Sequence, residues 1–224
     1  MVSDHARIKS FHLQGPAGRL EALLNVGSTS AEYAAMVCHP HPMGGGTMHN
    51  KVVFHAMKAL NVFGFPVLRF NFRGVGSSQG EHDNGQGEQD DVRVALDWLE
   101  REFQLPVIFA GFSFGAATGL RVACPDPQVS ALVSLGTPIA AEGRLYSYQY
   151  LSSCSKPKLF LSGDRDQYAP REMLEKLMVE IAEPKQLVLV EGGDHFFAGH
   201  LDELRAAMEQ WIRTVIQPLA QIPV

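Results

Sequence analysis

From Tyr33 onward the chain alternates short, nearly continuous apolar runs with longer segments whose apolar residues recur at helical spacing. The runs are Tyr33–Cys38, Pro66–Phe72, Val107–Gly111, Val129–Leu135, Lys158–Leu161 and Gln186–Val190. Runs this uniformly apolar read as strands buried on both faces of a parallel sheet. The segments between them, about Lys51–Val62, Glu88–Phe103, Ala116–Ala123, Arg171–Ile181 and Asp202–Ile216, read as the crossover helices such a sheet requires. In the second of these, Val92, Ala95, Leu96 and Leu99 share one face, while Glu88, Asp91, Arg93, Glu100 and Arg101 fall mostly elsewhere. Its acidic first turn suits the positive end of the helix dipole. Ahead of the alternation, Arg7–Val26 holds two extended stretches joined by Gly15, Pro16, Ala17 and Gly18, the signature of an antiparallel hairpin. The pattern therefore predicts an α/β fold: a mostly parallel sheet with an N-terminal antiparallel hairpin and helices on both faces. No repeat, low-complexity tract or linker interrupts it, so a single domain over residues 1–224 is expected. The stretch at about 137–156 is too short for a cap domain and is expected to form a short flap.

Composition narrows the functional classes. The 224 residues are 46% hydrophobic and 19% charged, enough for a full core without disulfides or a structural metal. Nineteen Lys and Arg against 24 Asp and Glu give a net charge of −5, with no long basic run. Nucleic acid and membrane surfaces are therefore not expected as partners. No stretch is apolar for long enough to span a bilayer, and Met1–Lys9 lacks the apolar core of a secretory signal. Cys38, Cys124 and Cys154 are too scattered for a disulfide framework. The expectation is a cytoplasmic protein with reduced thiols, acting as a monomer or homodimer on a small molecule.

Open α/β sheets bind ligands at the carboxyl ends of their strands, so the loops there carry the candidate chemistry. After Val107–Ala110 stand Gly111, Phe112, Ser113, Phe114 and Gly115, followed by a helix of small residues. This is a G-x-S-x-G elbow in its strand-turn-helix setting. Glycines permit the close backbone approach of so sharp a turn. The bland alternative is a glycine-bounded turn in which Ser113 merely caps the helix. A serine hydroxyl is a weak nucleophile unaided, so the elbow calls for a later carboxylate and then a histidine. Gly163, Asp164, Arg165 and Asp166 follow one strand; Gly192, Gly193, Asp194, His195, Phe196 and Phe197 follow the next. A lone histidine beside two phenylalanines is more often a hydrogen-bonded core residue. Three residues of the right types, in this order and each after its own strand, point to nucleophilic catalysis.

Two other features carry less. His39, His41, His49 and His55 are zinc-compatible types, but no Cys, Asp or Glu completes a ligand set at recognisable spacing, so no metal is expected. Arg73 to Ser78 is glycine-rich yet neither opens a helix directly nor carries the lysine of a phosphate loop, and reads as structural. Tyr146, Tyr148 and Tyr150 in the flap fit either a substrate pocket or packing onto the core.

The stretches HPHPMGGGTMHNKVV (His39–Val53), LRFNFRGVGSSQG (Leu68–Gly80), GEQDDVRVALDW (Gly87–Trp98), GFSFGA (Gly111–Ala116), GDRDQYAP (Gly163–Pro170) and GGDHFF (Gly192–Phe197) together resemble the α/β-hydrolase superfamily. The likeness is strongest to its small, nearly lidless bacterial serine esterases, which are related to dienelactone hydrolases. It covers nearly the whole chain. The resemblance implies Ser113 as nucleophile, His195 as base and Asp166 as the orienting acid, with Asp164 the competitor. Dienelactone hydrolases proper carry cysteine at the nucleophile position, so serine moves the expectation toward ordinary esters. The oxyanion hole is expected from the backbone N–H of Phe114 and of Met43, because Pro42 in the loop His41–Gly44 has none. His41, Tyr146 and Tyr148 are the candidate substrate-binding residues, His41 also shaping its loop. The implied activity is a cofactor-free carboxylic-ester hydrolase for small, accessible substrates, with thioester or lactone hydrolysis as the alternative chemistry. A non-catalytic small-molecule receptor on the same fold is the alternative of another class.

Overall fold

The two-residue turn Pro16–Ala17 joins β1 (Ile8–Gly15) to β2 (Gly18–Asn25), and Gly15 faces Gly18 as the last antiparallel pair. The computed structural model of the chain describes residues 8–141, 144 and 146–220, so Arg7, at the edge of the expected hairpin, lies outside it. The remaining strands are β3 (Ala34–Cys38), β4 (Val67–Phe70), β5 (Val107–Phe112), β6 (Val129–Leu135), β7 (Lys158–Gly163) and β8 (Lys185–Val190). They form one eight-stranded sheet in the order β1-β2-β4-β3-β5-β6-β7-β8, parallel from β4 to β8. β2 joins antiparallel to β4 and carries the hairpin on that edge.

The helices are α1 (Lys51–Asn61), α2 (Gly87–Phe103), α3 (Phe114–Ala123), α4 (Arg171–Glu180) and α5 (Leu201–Trp211). Alternation along the strands divides the core in two. Met36 and Cys38 of β3 and Phe109 of β5 meet Val92, Leu96 and Leu99 of α2 and Leu120 of α3. Ala35 and Val37, with Ile108 and Ala110, face the other way onto Val53, Ala56 and Leu60 of α1 and Leu204 and Met208 of α5. Side chains of successive strand residues point to opposite faces, and both faces here are covered by helices. The uniformly apolar runs follow from that.

Boundaries depart from the sequence pattern where tertiary contacts intervene. β4 is shorter than Pro66–Phe72 because the Phe72 N–H donates to Nε2 of His39 (3.0 Å) in the neighbouring strand's loop. The helix predicted over Asp202–Ile216 runs as α5 to Trp211 and then through a π-helical turn over Ile212–Ile216 into a short helix, α6 (Gln217–Ala220). Within the expected flap, the described residues form a bridge between Ala141 and Arg144 and a 3₁₀ turn at Gln149–Ser153.

The glycine-rich loop after β4 is tied down by a buried ion pair. Asp91 of α2 accepts from Arg73 N (3.0 Å), Nε (3.1 Å) and Nη2 (2.8 Å), with side-chain exposures of 0% for Asp91 and 10% for Arg73. Burial raises the Asp91 carboxyl pKa and the Arg73 bonds oppose that rise; those same bonds raise the guanidinium. Asp91→Asn leaves a buried guanidinium without its charge partner and is expected to cost about 3–5 kcal/mol. The exposed pair Arg93–Asp90, cut the same way, is expected to cost under about 1 kcal/mol. Urea unfolding midpoints of Asp91→Asn and Asp90→Asn check this; equal shifts contradict it.

Candidate active site

β3 and β5 are neighbours, yet the chain leaves β3 through α1 toward β4 and leaves β5 through α3 toward β6. The two loops thus part in opposite directions, opening a crevice at the carboxyl ends of these strands. The elbow after β5 and the histidine-rich loop after β3 flank it.

Ser113 stands between β5 and α3 with φ 54° and ψ −117°, a conformation that non-glycine residues rarely adopt. Its turn is closed by near contacts of backbone. A Cβ on Gly111 would lie 2.6 Å from Ala116 N, and one on Gly115 would lie 2.5 Å from His39 O. Only glycine at these positions lets the elbow tighten and lets the β3 loop press against the start of α3. The helix begins at Phe114, two residues before the sequence pattern places it, and the Ser113 side chain makes no capping bond. Its Oγ lies instead 3.0 Å from Nε2 of His195, so the bland reading of Ser113 as a helix cap does not hold.

Nδ1 of His195 lies 2.8 Å from Oδ2 of Asp166. An ionised carboxylate can only accept, so Nδ1 carries the hydrogen and Nε2 is left to accept the serine hydroxyl. Asp166 is itself fixed: its Oδ1 accepts from the N–H groups of Tyr168 (2.8 Å) and Ala169 (3.2 Å), and its Oδ2 from Ser162 Oγ (3.2 Å). Asp164, the other candidate, turns away from the histidine. Its Oδ1 accepts the Gly192 N–H (2.7 Å), pinning the loop after β7 to the loop after β8. The three side chains Ser113, Asp166 and His195 are buried to 9%, 2% and 4% exposure, and the rings of Phe112, Tyr168 and Phe196 pack around the imidazole.

The expected oxyanion donors divide. Phe114 N–H is in the first turn of α3, where backbone donors have no intrahelical partner and the helix dipole is positive. Met43 does not fit the second position, because its N–H donates to Nδ1 of His41 (3.1 Å) as the cap of a 3₁₀ turn over Pro42–Gly44. Proline forces this turn and consumes the donor that the motif promised. Pro40 and Pro42 have no N–H, so in the stretch Pro40–Met43 the His41 N–H is the backbone donor not already bonded, on the wall of the Ser113 cleft.

The loop's histidines are structural in different ways. The His39 ring is fully buried, donating from Nδ1 to Pro40 O (2.7 Å) and accepting Phe72 N–H at Nε2. Burial holds its pKa down at about 4 against an ordinary 6.5. An unfolded chain therefore takes up a proton between these values that the folded chain refuses. This part of the stability is complete above about pH 6.5 and drains away toward pH 4, about 3 kcal/mol in all at roughly 1.4 kcal/mol per unit. His39→Asn is expected to be less stable at neutral pH but to show a flatter decline from pH 6.5 to 4, read from urea midpoints across that range. The His41 ring packs against Phe114 and His82, and burial likewise lowers its pKa to about 4, aided by the nearby positive Arg144. His55 Nδ1 pairs with Leu201 O. Among the described residues no three His, Cys, Asp or Glu side chains gather to hold a metal ion.

The cleft over Ser113 has a volume of about 210 Å³ and is walled by Pro40, His41, Met43, Arg144, Tyr146, Tyr168 and Phe196, among others. Tyr146 and His41 therefore lie where the sequence reading puts substrate. Tyr148 does not: its ring is buried in the core and its hydroxyl donates to Pro138 O (2.8 Å). An extended strand would put Tyr146 and Tyr148 on one side; here the chain is irregular and enters the 3₁₀ turn Gln149–Ser153 at Tyr148, which anchors the segment. Tyr168 and Phe196 were not singled out by sequence, although each lies within two residues of a triad member. Arg144 carried no sequence signal at all.

Residues 34–222 match the family described as alpha/beta hydrolase domain. An uncharacterized protein of Rickettsia prowazekii is 34% identical over 212 residues, covering 91% of this chain and 88% of that one. A structure described as an alpha-beta serine hydrolase homologue from Coxiella burnetii is similar at 40% identity and a TM-score of 0.83, covering 90% of this chain and 96% of its own. A serine hydrolase without lid from Xanthomonas campestris is similar at 34% identity and the same TM-score of 0.83, covering 92% and 94%.

Proposed function

The chain belongs to the alpha/beta hydrolase family, and from that premise we propose that it is a cofactor-free serine hydrolase that cleaves carboxylic esters through an acyl-enzyme. The observation that carries this reading is the unbroken relay from Asp166 Oδ2 to His195 Nδ1 (2.8 Å) and from His195 Nε2 to Ser113 Oγ (3.0 Å). Ser113 Oγ attacks the ester carbonyl as its proton passes to Nε2. The carbonyl oxygen, now an anion, is held by the N–H groups of Phe114 and His41, each such donor being worth about 3–4 kcal/mol in acyl transfer. The tetrahedral species collapses as Nε2 returns the proton to the departing alcohol. Water then repeats the sequence on the acyl-serine, and Asp166 keeps the imidazole in the tautomer and orientation that both halves need.

Two further features favour small, accessible substrates. The 210 Å³ cleft is modest for a ligand site, and the exposed side chains of Met43 and Phe196 stand on its rim. Among the described residues no helix is long and apolar enough to cross a membrane.

Treatment with a fluorophosphonate tests the reading. Wild-type protein is expected to take up one adduct, located by mass spectrometry on Ser113, and His195→Ala to label far more slowly. An unlabelled Ser113 in folded protein refutes an activated serine and favours the receptor reading, for which a ligand would raise the melting temperature without being consumed.

A further inference from the structure

The Ser113 cleft is not a closed end. His41, Arg144 and Tyr146 belong to its wall and also to the wall of a second, larger cleft of about 600 Å³, which continues with Asn84, Gln86, Gln89, Thr118 and Arg121. Phe114, Ala117, Thr118 and Arg121 are spaced so that they form one stripe along α3, starting at the residue after the nucleophile. Arg121 is eight residues beyond Ser113, which at about 1.5 Å per residue sets it about 12 Å along the helix. Arg144 stands where the two clefts join.

Among the described residues, the lining of both clefts contains two arginines and no Asp or Glu, in a chain whose net charge is −5. Arg121 is oriented in advance: its Nη2 donates to Ser147 O (2.9 Å) and its guanidinium lies 5.2 Å from the Tyr150 ring centre. Glu88, on α2 beside this wall, is fully buried, with Oε1 accepting the Asp83 N–H (2.9 Å), Oε2 accepting the Gly85 N–H (2.8 Å), and the His82 ring beside it. It shapes the Asn84–Gly85 rim and does not enter the lining.

We propose that this second cleft is a subsite for an anionic end of the substrate, with Arg144 and Arg121 receiving a carboxylate carried some 12 Å or less from the scissile bond. The inference rests on the hydrolase reading and gives its substrates a class: half-esters of dicarboxylic acids, or esters of hydroxy acids. A guanidinium fork matches a carboxylate in shape as well as charge, whereas the neighbouring Gln86, Gln89 and Thr118 suit its polar spacer.

The test compares matched pairs. The mono-para-nitrophenyl ester of suberic acid is set against para-nitrophenyl octanoate, placing the charge on the acyl side. The acetate ester of omega-hydroxyoctanoic acid is set against octyl acetate, placing it on the alcohol side. In at least one pair the anionic member is expected to have about tenfold higher kcat/KM at low ionic strength, about 1.4 kcal/mol. Arg144→Gln and Arg121→Gln should each lower that ratio severalfold, with partial recovery in Arg144→Lys and erosion by salt. Equal rates within both pairs, or a preference that survives both substitutions, overturn the proposal. Turnover of octanoate without any anionic preference leaves the hydrolase reading standing and removes the subsite. If no ester is cleaved, that reading falls, and calorimetric titration of the protein with suberate decides the subsite alone: binding weakened by Arg144→Gln upholds it, and absence of binding overturns it.

Discussion

Ser113→Ala is expected to reduce hydrolysis of a short activated ester by roughly a millionfold, to the residue of catalysis that an oxyanion hole gives without a nucleophile. The magnitude follows from the chemistry. Without Oγ there is no acyl-enzyme, and His195 has no proton to receive. Water attacking directly would have to occupy the place of Oγ without a covalent tether to orient it, losing the advantage of a prepositioned nucleophile. The substitution should spare the fold. The Ser113 side chain caps nothing in α3, and the bonds that hold the elbow run through its backbone, Ser113 N to Leu135 O (2.9 Å) and Ser113 O to Ala116 N (2.9 Å). The φ of 54° at this residue strains alanine as much as serine. Initial rates on para-nitrophenyl acetate, with a thermal melt of the same sample, make the measurement. An unfolded variant would leave rates unreadable, so His195→Ala serves as the second probe, with an expected loss of similar size. Wild-type rates in either folded variant refute the mechanism.

Asp166→Asn is expected to lower kcat by about ten-thousandfold, while Asp164→Asn changes it by less than about tenfold and acts on stability instead. The two aspartates are separated by one residue, and only their partners distinguish them. Oδ2 of Asp166 receives the His195 Nδ1 hydrogen, and its Oδ1 already receives two backbone N–H groups. An asparagine there must give its oxygen to the backbone pair, which turns its NH₂ toward the imidazole. The ring then presents Nδ1 as acceptor and Nε2 as donor, the tautomer that cannot take the serine proton. Asp164 holds only Gly192 N–H, a bond worth about 1 kcal/mol that asparagine can largely keep. Steady-state rates and melting temperatures of both variants separate the cases. A greater rate loss in Asp164→Asn than in Asp166→Asn would reverse the assignment.

The two effects share a structural origin. Ser113, Asp166 and His195 each stand in the loop beyond the carboxyl end of its own parallel strand, β5, β7 and β8, and the sheet sets the distances between those ends. Sites carried by rigid strands of one sheet tolerate little displacement, and hydrophobic core covers both of its faces. The rim is different. Met43 and Phe196 are 76% and 51% exposed beside the mostly buried Ser113, Asp166 and His195, so a molecule entering the cleft meets apolar surface before it meets Ser113.

The sequence by itself determined the fold class, the hairpin, the strand and helix order and the serine, acid and histidine at three strand ends, because each is written in a local signal. Period and apolarity mark a strand that is covered on both faces; glycines around Ser113 mark a turn too tight for side chains; strand ends mark where polar residues can gather. Tertiary structure alone decided which of two aspartates faces His195, that Met43 N–H is taken by His41, that Tyr148 is core while Tyr146 is cleft, and that Arg144 joins Arg121 along a second cleft. These are questions of which partner a hydrogen-bonding or charged group meets across the fold. The distances that answer them run between residues far apart in the chain, where sequence spacing carries no information about direction.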